Sequence, residues 1–185
     1  MTPSAQPDHW KTEIARIVHW KQIAAQHDKK QALPWHLPEV GAPKDAVARA
    51  ESELSAPFSD EYRSFLSLAN GWKGFYVLID LFGTDDFLSG RADEVTQRPE
   101  IESYLSKNGL TRKHVIPIGA SSLEIDAFLL VSPASAIFPG AILWWAGEEI
   151  DCYSSFREFL GAMVNYNALI AQKMVQRAES KGDIP

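Results

Sequence analysis

The feature that most constrains this chain is a change of hydrophobic period. Up to Ala69, apolar residues recur at three- and four-residue spacing, as on one face of a helix. From Phe75 to Trp145 they occur instead in short runs rich in aromatic and β-branched residues, and from Phe156 the helical spacing returns. The order helices, strands, helix therefore predicts an α+β fold: a mostly antiparallel sheet with helices packed against one side of it.

The first helical pattern covers residues 10–27, with Trp10, Ile14, Ile17, Val18 and Ala24 near one face and Asp8 as N-cap. Pro34, Pro38, Gly41 and Pro43 make the following stretch a connecting loop. A short helix over 44–54 follows, with Pro43 at its first turn. Ser59 then caps a helix whose stripe is Tyr62, Phe65, Leu66 and Ala69, closed by Asn70-Gly71. Residues 75–82 read as a strand and 83–86 as a turn. Pro99 opens a helix carrying Ile101, Tyr104 and Leu105. Residues 114–119 read as an edge strand, because Pro117 cannot donate to a ladder. Residues 123–131 and 136–145 read as two more strands, with a bend at Pro139-Gly140. Ser155 and Glu158 form a capping box before a long helix ending near Ala178. The expected division is an N-terminal helical extension over 1–30, a core domain over 31–178 and a flexible tail over 179–185.

The 185 residues, 45% hydrophobic and with six Trp and nine Phe, are enough for one self-sufficient core. Residues 1–8 lack a basic stretch followed by an apolar run, and no window of about 18 apolar residues occurs, so neither a leader nor a membrane span is expected. One cysteine permits no intrachain disulfide, which fits a reducing cytoplasm. The net charge of -6 is unevenly placed: residues 80–151 hold twelve acidic and five basic residues, the rest twelve and thirteen. Phosphate would be repelled by such a segment, so no nucleic acid is expected as partner. A basic protein would be attracted.

No catalytic arrangement emerges. None of the five histidines pairs at i, i+4 beside a carboxylate, so no metal site is expected. His19 and His27 lie eight residues apart and read as solvated surface. Cys152 precedes the last helix, but Glu148, Glu149 and Asp151 would raise its pKa, so it reads as structural. No G-x-S-x-G, G-x-G-x-x-G or phosphate-loop pattern occurs. The chain is expected to be no enzyme and to need no cofactor.

Four motifs stand in order from about residue 40 to 165: Ala50-Glu51; Tyr62, Phe65-Leu66 and Asn70-Gly71; Val115-Ile-Pro-Ile-Gly119; and Ser155-Phe156-Arg-Glu-Phe-Leu160. Together they resemble the signature of the SUKH superfamily. Phe58-Ser59 stands where that signature has Leu-Pro, and residues 120–126 lack its frequent Gly-Gly-Asp. The resemblance implies an α+β fold and, as in most bacterial members, an immunity role in which a toxin is neutralised by stoichiometric binding. Fungal relatives imply the alternative, a scaffold in cell-wall synthesis or signalling. On the first reading the partner is a basic toxin and the contacts are Asp80, Asp85, Asp86, Glu148, Glu149 and Asp151, with Trp72 and Trp144 as aromatic anchors. Trp145 would point to the opposite sheet face from Trp144. On the second, the N-terminal helix with Trp10 and Trp20 docks the partner.

Overall fold

The computed structural model describes residues 7–180. Six antiparallel strands form one sheet in chain order: β1 (Trp72–Tyr76), β2 (Ile79–Leu81), β3 (Val115–Ser121), β4 (Ala127–Val131), β5 (Ile142–Trp145) and β6 (Glu149–Tyr153). The helices are α1 (Pro7–His27), α2 (Lys44–Leu54), α3 (Asp60–Leu66), α4 (Thr84–Leu88), α5 (Arg91–Thr96), α6 (Pro99–Lys107) and α7 (Phe156–Ser180). The α+β class is as expected, but the helices cover both faces of the sheet. Every residue of β3, β4 and β5 is buried, which requires cover above and below. On one face Phe159 and Tyr166 of α7 pack on Phe128, Tyr153 and Trp144, with α1 laid along α7. On the other, α5 lies on β3 and α6 borders Trp145.

Residues of three of the four sequence motifs, together with Glu61, join or cap elements. Glu51 of α2 accepts hydrogen bonds from the Phe58 amide at 2.8 Å and from the Arg63 guanidinium at 2.7 Å, which fixes where α3 begins. Tyr62, fully buried, donates to the carbonyl of Phe82 at 2.8 Å. Asn70 accepts from the Thr84 amide at 2.8 Å and donates to its hydroxyl, so it caps α4 from a distance. Gly71 stands at φ +93° with the backbone of Gly83 where a Cβ would go, so only glycine fits. Glu61 caps α7 by accepting from the Arg157 amide at 2.9 Å. Ser155 caps the same helix through the Glu158 amide, while the Glu158 carboxylate returns to Ser154 rather than to Ser155.

Several elements differ from the sequence reading. The run 75–82 breaks at Val77, φ +52°, into the β1–β2 hairpin. Residues read as a turn form α4, and α5 was not expected: both are single turns to two turns long, too short to show a period. β3 is a central strand. It tolerates Pro117 because the register with β4 shifts between Pro117 and Gly119. β6 was not expected at all, since an outer strand with exposed residues carries no apolar pattern. Of the expected tail, residues 179–180 continue α7 and 181–185 lie outside the described residues, as do residues 1–6 of the segment read for a leader.

The β1 edge is covered by residues 33–40. Trp72 Nε1 donates to the His36 carbonyl at 2.8 Å, Glu39 exchanges backbone bonds with Asn70 and Gly71, and Pro34 lies against Gly74. Lys21 of α1 reaches into this seam, where its buried ammonium donates to the carbonyls of Gly74 and Pro34. Burial without a carboxylate lowers its pKa from 10.5 to about 8. In the unfolded chain the amine keeps its proton up to its ordinary pKa. The native state therefore carries the cost of a buried cation below pH 8, and sheds it between about pH 8 and 10.5. Relative to Lys21→Met, the wild type is expected to gain about 2–3 kcal/mol of unfolding free energy between pH 7 and pH 10, measured by urea titration. A difference independent of pH would show that the amine is solvated.

Candidate protein-binding surface

One transverse row of the sheet runs Asp80, Ala120, Ala127, Trp145, Glu149, from β2 to β6. Beyond its β3–β6 end lie two hairpin tips, residues 122–126 and 146–148. Ser121 Oγ accepts from the amides of Leu123 and Glu124 and so folds the first tip into a tight turn. Arg98, between α5 and α6, donates to the carbonyls of Ile125 at 3.2 Å and Ser121 at 3.4 Å, which holds that tip to the helices. Tyr104 of α6 donates to the Glu149 carboxylate and holds the second tip. The tips touch: Gly147 has φ +85°, and Ile125 Cδ1 lies 3.0 Å from where a Cβ would stand.

Anchored in this way, the tips present Leu123 at 78% exposure and Ile125 at 54%, with Ile150 of β6 at 45%. Around them stand the exposed carboxylates of Glu100, Glu124, Glu148 and Glu149, and the half-buried Asp126 and Asp151. An apolar centre with a charged rim is the composition of a protein contact. Between α6 and the β5–β6 hairpin opens a cleft of about 570 Å³, with Trp145, Tyr104 and Pro99 among its walls and Lys107 as the one base lining it. Burial, reinforced by Glu149, pushes the Tyr104 phenol far above its usual pKa. Burial, then Glu149, Asp151 and Glu158, also raises the Cys152 thiol, although Cys152 is exposed. Among the described residues no group of three or more His, Cys, Asp or Glu could hold a metal ion.

The expected contacts divide. Glu148 and Glu149 sit on this surface, with Asp151 beside them on β6; its carboxylate also accepts from the Cys152 amide at 2.9 Å. Asp80, Asp85 and Asp86 do not join them, because Asp80 and Glu149 are four strands apart in the row, about 19 Å at the usual spacing. Asp80 and Asp86 are moreover committed within the chain. Arg91 forks between them at 2.8 and 2.9 Å over the ring of Phe82, while Asp80 takes the Gly74 amide and Asp86 the Gly83 amide. Asp85 is exposed on α4. Trp72 and Trp144, expected as anchors, are corrected to core residues at 1% and 6% exposure: Trp72 is locked to His36, and Trp144 donates to Asp126 at 3.2 Å under Tyr76 and Tyr166. Leu123, Ile125, Glu100, Glu124, Arg98 and Tyr104 were not singled out. The one signal for Leu123 and Ile125 was the alternation Ser-Leu-Glu-Ile-Asp, which reads as the start of a strand.

The fold and the linking roles of Glu51, Tyr62, Asn70 and Glu61 lie inside a stretch that matches a known family. The model of the SMI1 / KNR4 family (SUKH-1) matches residues 41–162. The chain belongs to this family. No curated protein matches the chain at a significant level. The SUKH-1 match contains both hairpin tips, the cleft and the start of α7, and leaves out α1, the cover over β1 and most of α7. No helix among the described residues is long and apolar enough to cross a membrane.

Two outcomes follow from these placements. Arg91→Ala, which strands two carboxylates at about one-quarter exposure, is expected to lower thermal stability by about 1–2 kcal/mol, after discounting for solvent screening. Carbamidomethylation of native Cys152 at pH 7.5 is expected to be slower than that of N-acetylcysteine and to accelerate on unfolding in urea, followed by mass spectrometry. Reaction as fast as the free thiol would remove the electrostatic account of this strand.

Proposed function

We propose that this SUKH-1 protein acts by binding and not by catalysis: as an immunity protein that covers a basic toxin with the surface at the hairpin tips. The observation that carries this reading is the exposure of Leu123 and Ile125 on a hairpin tip that side chains hold in place, among the carboxylates of the two tips. Exposed apolar groups of this size are costly in water and are most simply explained by a partner that covers them. The acidic rim would steer a basic protein, raising the rate of encounter, and would oppose acidic competitors. Preformed loops lose little entropy on docking, which favours a tight complex. A nuclease toxin, basic where it holds nucleic acid, is the type of partner that this charge fits.

A scaffold role in cell-wall synthesis or signalling is the second reading. It is favoured by Trp35, Leu37 and Val40, which are exposed on the cover over β1 ahead of the family match. Trp10 is fully buried against Phe156, so removing residues 1–30 would open the core. Substitution of Leu37 and Val40 is the cleaner probe of that reading.

Co-expression with the product of the adjacent reading frame tests the first reading. A one-to-one complex is expected, weakened about 1000-fold by Leu123→Asp with Ile125→Asp, since buried contact residues of this kind are each worth about 2 kcal/mol. Both positions are exposed, and unchanged circular dichroism would show the variant folded. A complex of undiminished affinity rules this surface out, and absence of any complex with the neighbour counts against the immunity reading.

A further inference from the structure

The cleft between α6 and the β5–β6 hairpin has a chemistry of its own. Trp145 forms part of its wall and is only 2% exposed. Three other tryptophans have their indole N–H groups satisfied: Trp10 by Ser64 Oγ, Trp72 by the His36 carbonyl and Trp144 by Asp126. The Trp145 Nε1–H meets no acceptor among the described residues, yet it is not among the sealed polar atoms. This donor, neither paired nor sealed, belongs to a ring that lines the cleft. A nearly buried N–H asks for an acceptor. The carboxylates around it, Glu100, Glu148 and Glu149, ask for a cation, and Lys107 is the only base at the rim to supply one.

We infer that this cleft receives an arginine side chain of the partner, with Trp145 Nε1–H donating to a backbone carbonyl of the same segment. The inference rests on the reading above that the partner is a basic protein. Arginine suits the cleft better than lysine for two reasons. A planar guanidinium forks between carboxylates such as those of Glu148 and Glu149, which both line the cleft, and it stacks on an aromatic face such as that of Tyr104. The donor at Trp145 adds what a charge cluster lacks, a demand for a carbonyl, so the cleft selects a peptide over a free cation. Tyr104, whose hydroxyl is already committed to Glu149, fixes the second wall before the ligand arrives.

The test uses the full chain and a defined probe, acetyl-Gly-Arg-Gly-amide, at low ionic strength. Its six tryptophans give six indole N–H signals by nitrogen-edited magnetic resonance. The Trp145 signal is expected to move downfield with a saturable curve, while those of Trp10 and Trp72 stay in place. The citrulline peptide, isosteric and neutral, is expected to bind about 10-fold more weakly, and Glu100→Gln with Glu148→Gln to weaken the arginine peptide about 5-fold. Both carboxylates are exposed, so the variant keeps its fold. An unmoved Trp145 signal, an equal response to citrulline, or an equal response to the lysine peptide overturns the assignment. If the cleft fails while Leu123→Asp still breaks the complex, the arginine pocket falls and the surface stands. If neither change has an effect, both fall.

Discussion

Burial of the central strands on both faces is the constraint from which the rest of the structure follows. Val115–Ser121, Ala127–Val131 and Ile142–Trp145 are wholly enclosed, and an enclosed strand has little use for a charge, because an unpaired buried charge shifts its pKa or destabilises the fold. Polar chemistry is thereby confined to what projects past the helices: the hairpin tips, the outer strand and the helix ends. Within the sheet, only small or apolar side chains remain, and Gly119 is needed because a Cβ there would meet the Asp80 carbonyl oxygen at 2.6 Å and the Phe128 ring at 3.0 Å. An alanine there would force β2 away from β3 as well as displace the Phe128 ring.

The same confinement explains why carboxylates of one segment do different jobs at its two ends. At the β2 end the sheet meets α4 and α5 at a sharp turn, where Asp80 and Asp86 satisfy the amides of Gly74 and Gly83 while Arg91, shared between them, offsets one of their two charges. At the β6 end no arginine is inserted. Arg98, the nearest equivalent, spends its donors on the carbonyls of Ser121 and Ile125. It holds a loop and leaves the surrounding carboxylates unneutralised. A uniform acidic stretch in sequence is thus a structural charge pair at one end of the fold and a negative field at the other, and the difference lies in what each arginine is bonded to.

Legibility in the sequence followed element length and burial. α2, α3, α6 and α7 carry a helical stripe over at least two turns with recognisable caps, and the order of elements was enough for the fold class. The motif residues were recognisable only by their resemblance to a family signature; the structure gives Glu51, Tyr62 and Asn70 a physical role, since each bonds across elements. α4 and α5 are too short for a period, and β6 has one face against solvent and a bulge opposite Trp144 and Trp145, so neither length nor alternation marked it. For the surface, Glu148, Glu149 and Asp151 were visible as charge. Leu123 and Ile125 were hidden, because an apolar residue at a hairpin tip looks in sequence like one more strand residue. The tryptophans misled for the complementary reason: a large aromatic beside a charge run resembles an anchor, and only the aromatic layer of Tyr76, Tyr166 and Phe128 shows that Trp144 is enclosed.

The two sheet edges complete the argument for where a partner goes. An uncovered edge strand invites pairing with any other strand. The β1 edge is closed by the chain itself, through residues 33–40. The β6 edge is left open but guarded: it is bulged, Asp151 occupies the Cys152 amide, and Glu148 and Glu149 stand at its entrance. Two copies of this chain meeting edge to edge would bring those carboxylates together, and their repulsion opposes self-association. The same charges attract a basic surface. On the proposed reading, a guard that repels a second copy and attracts a cationic protein would give selectivity without any contact being optimised for a particular partner, and would leave Leu123, Ile125 and the Trp145 cleft to determine which cationic protein is held.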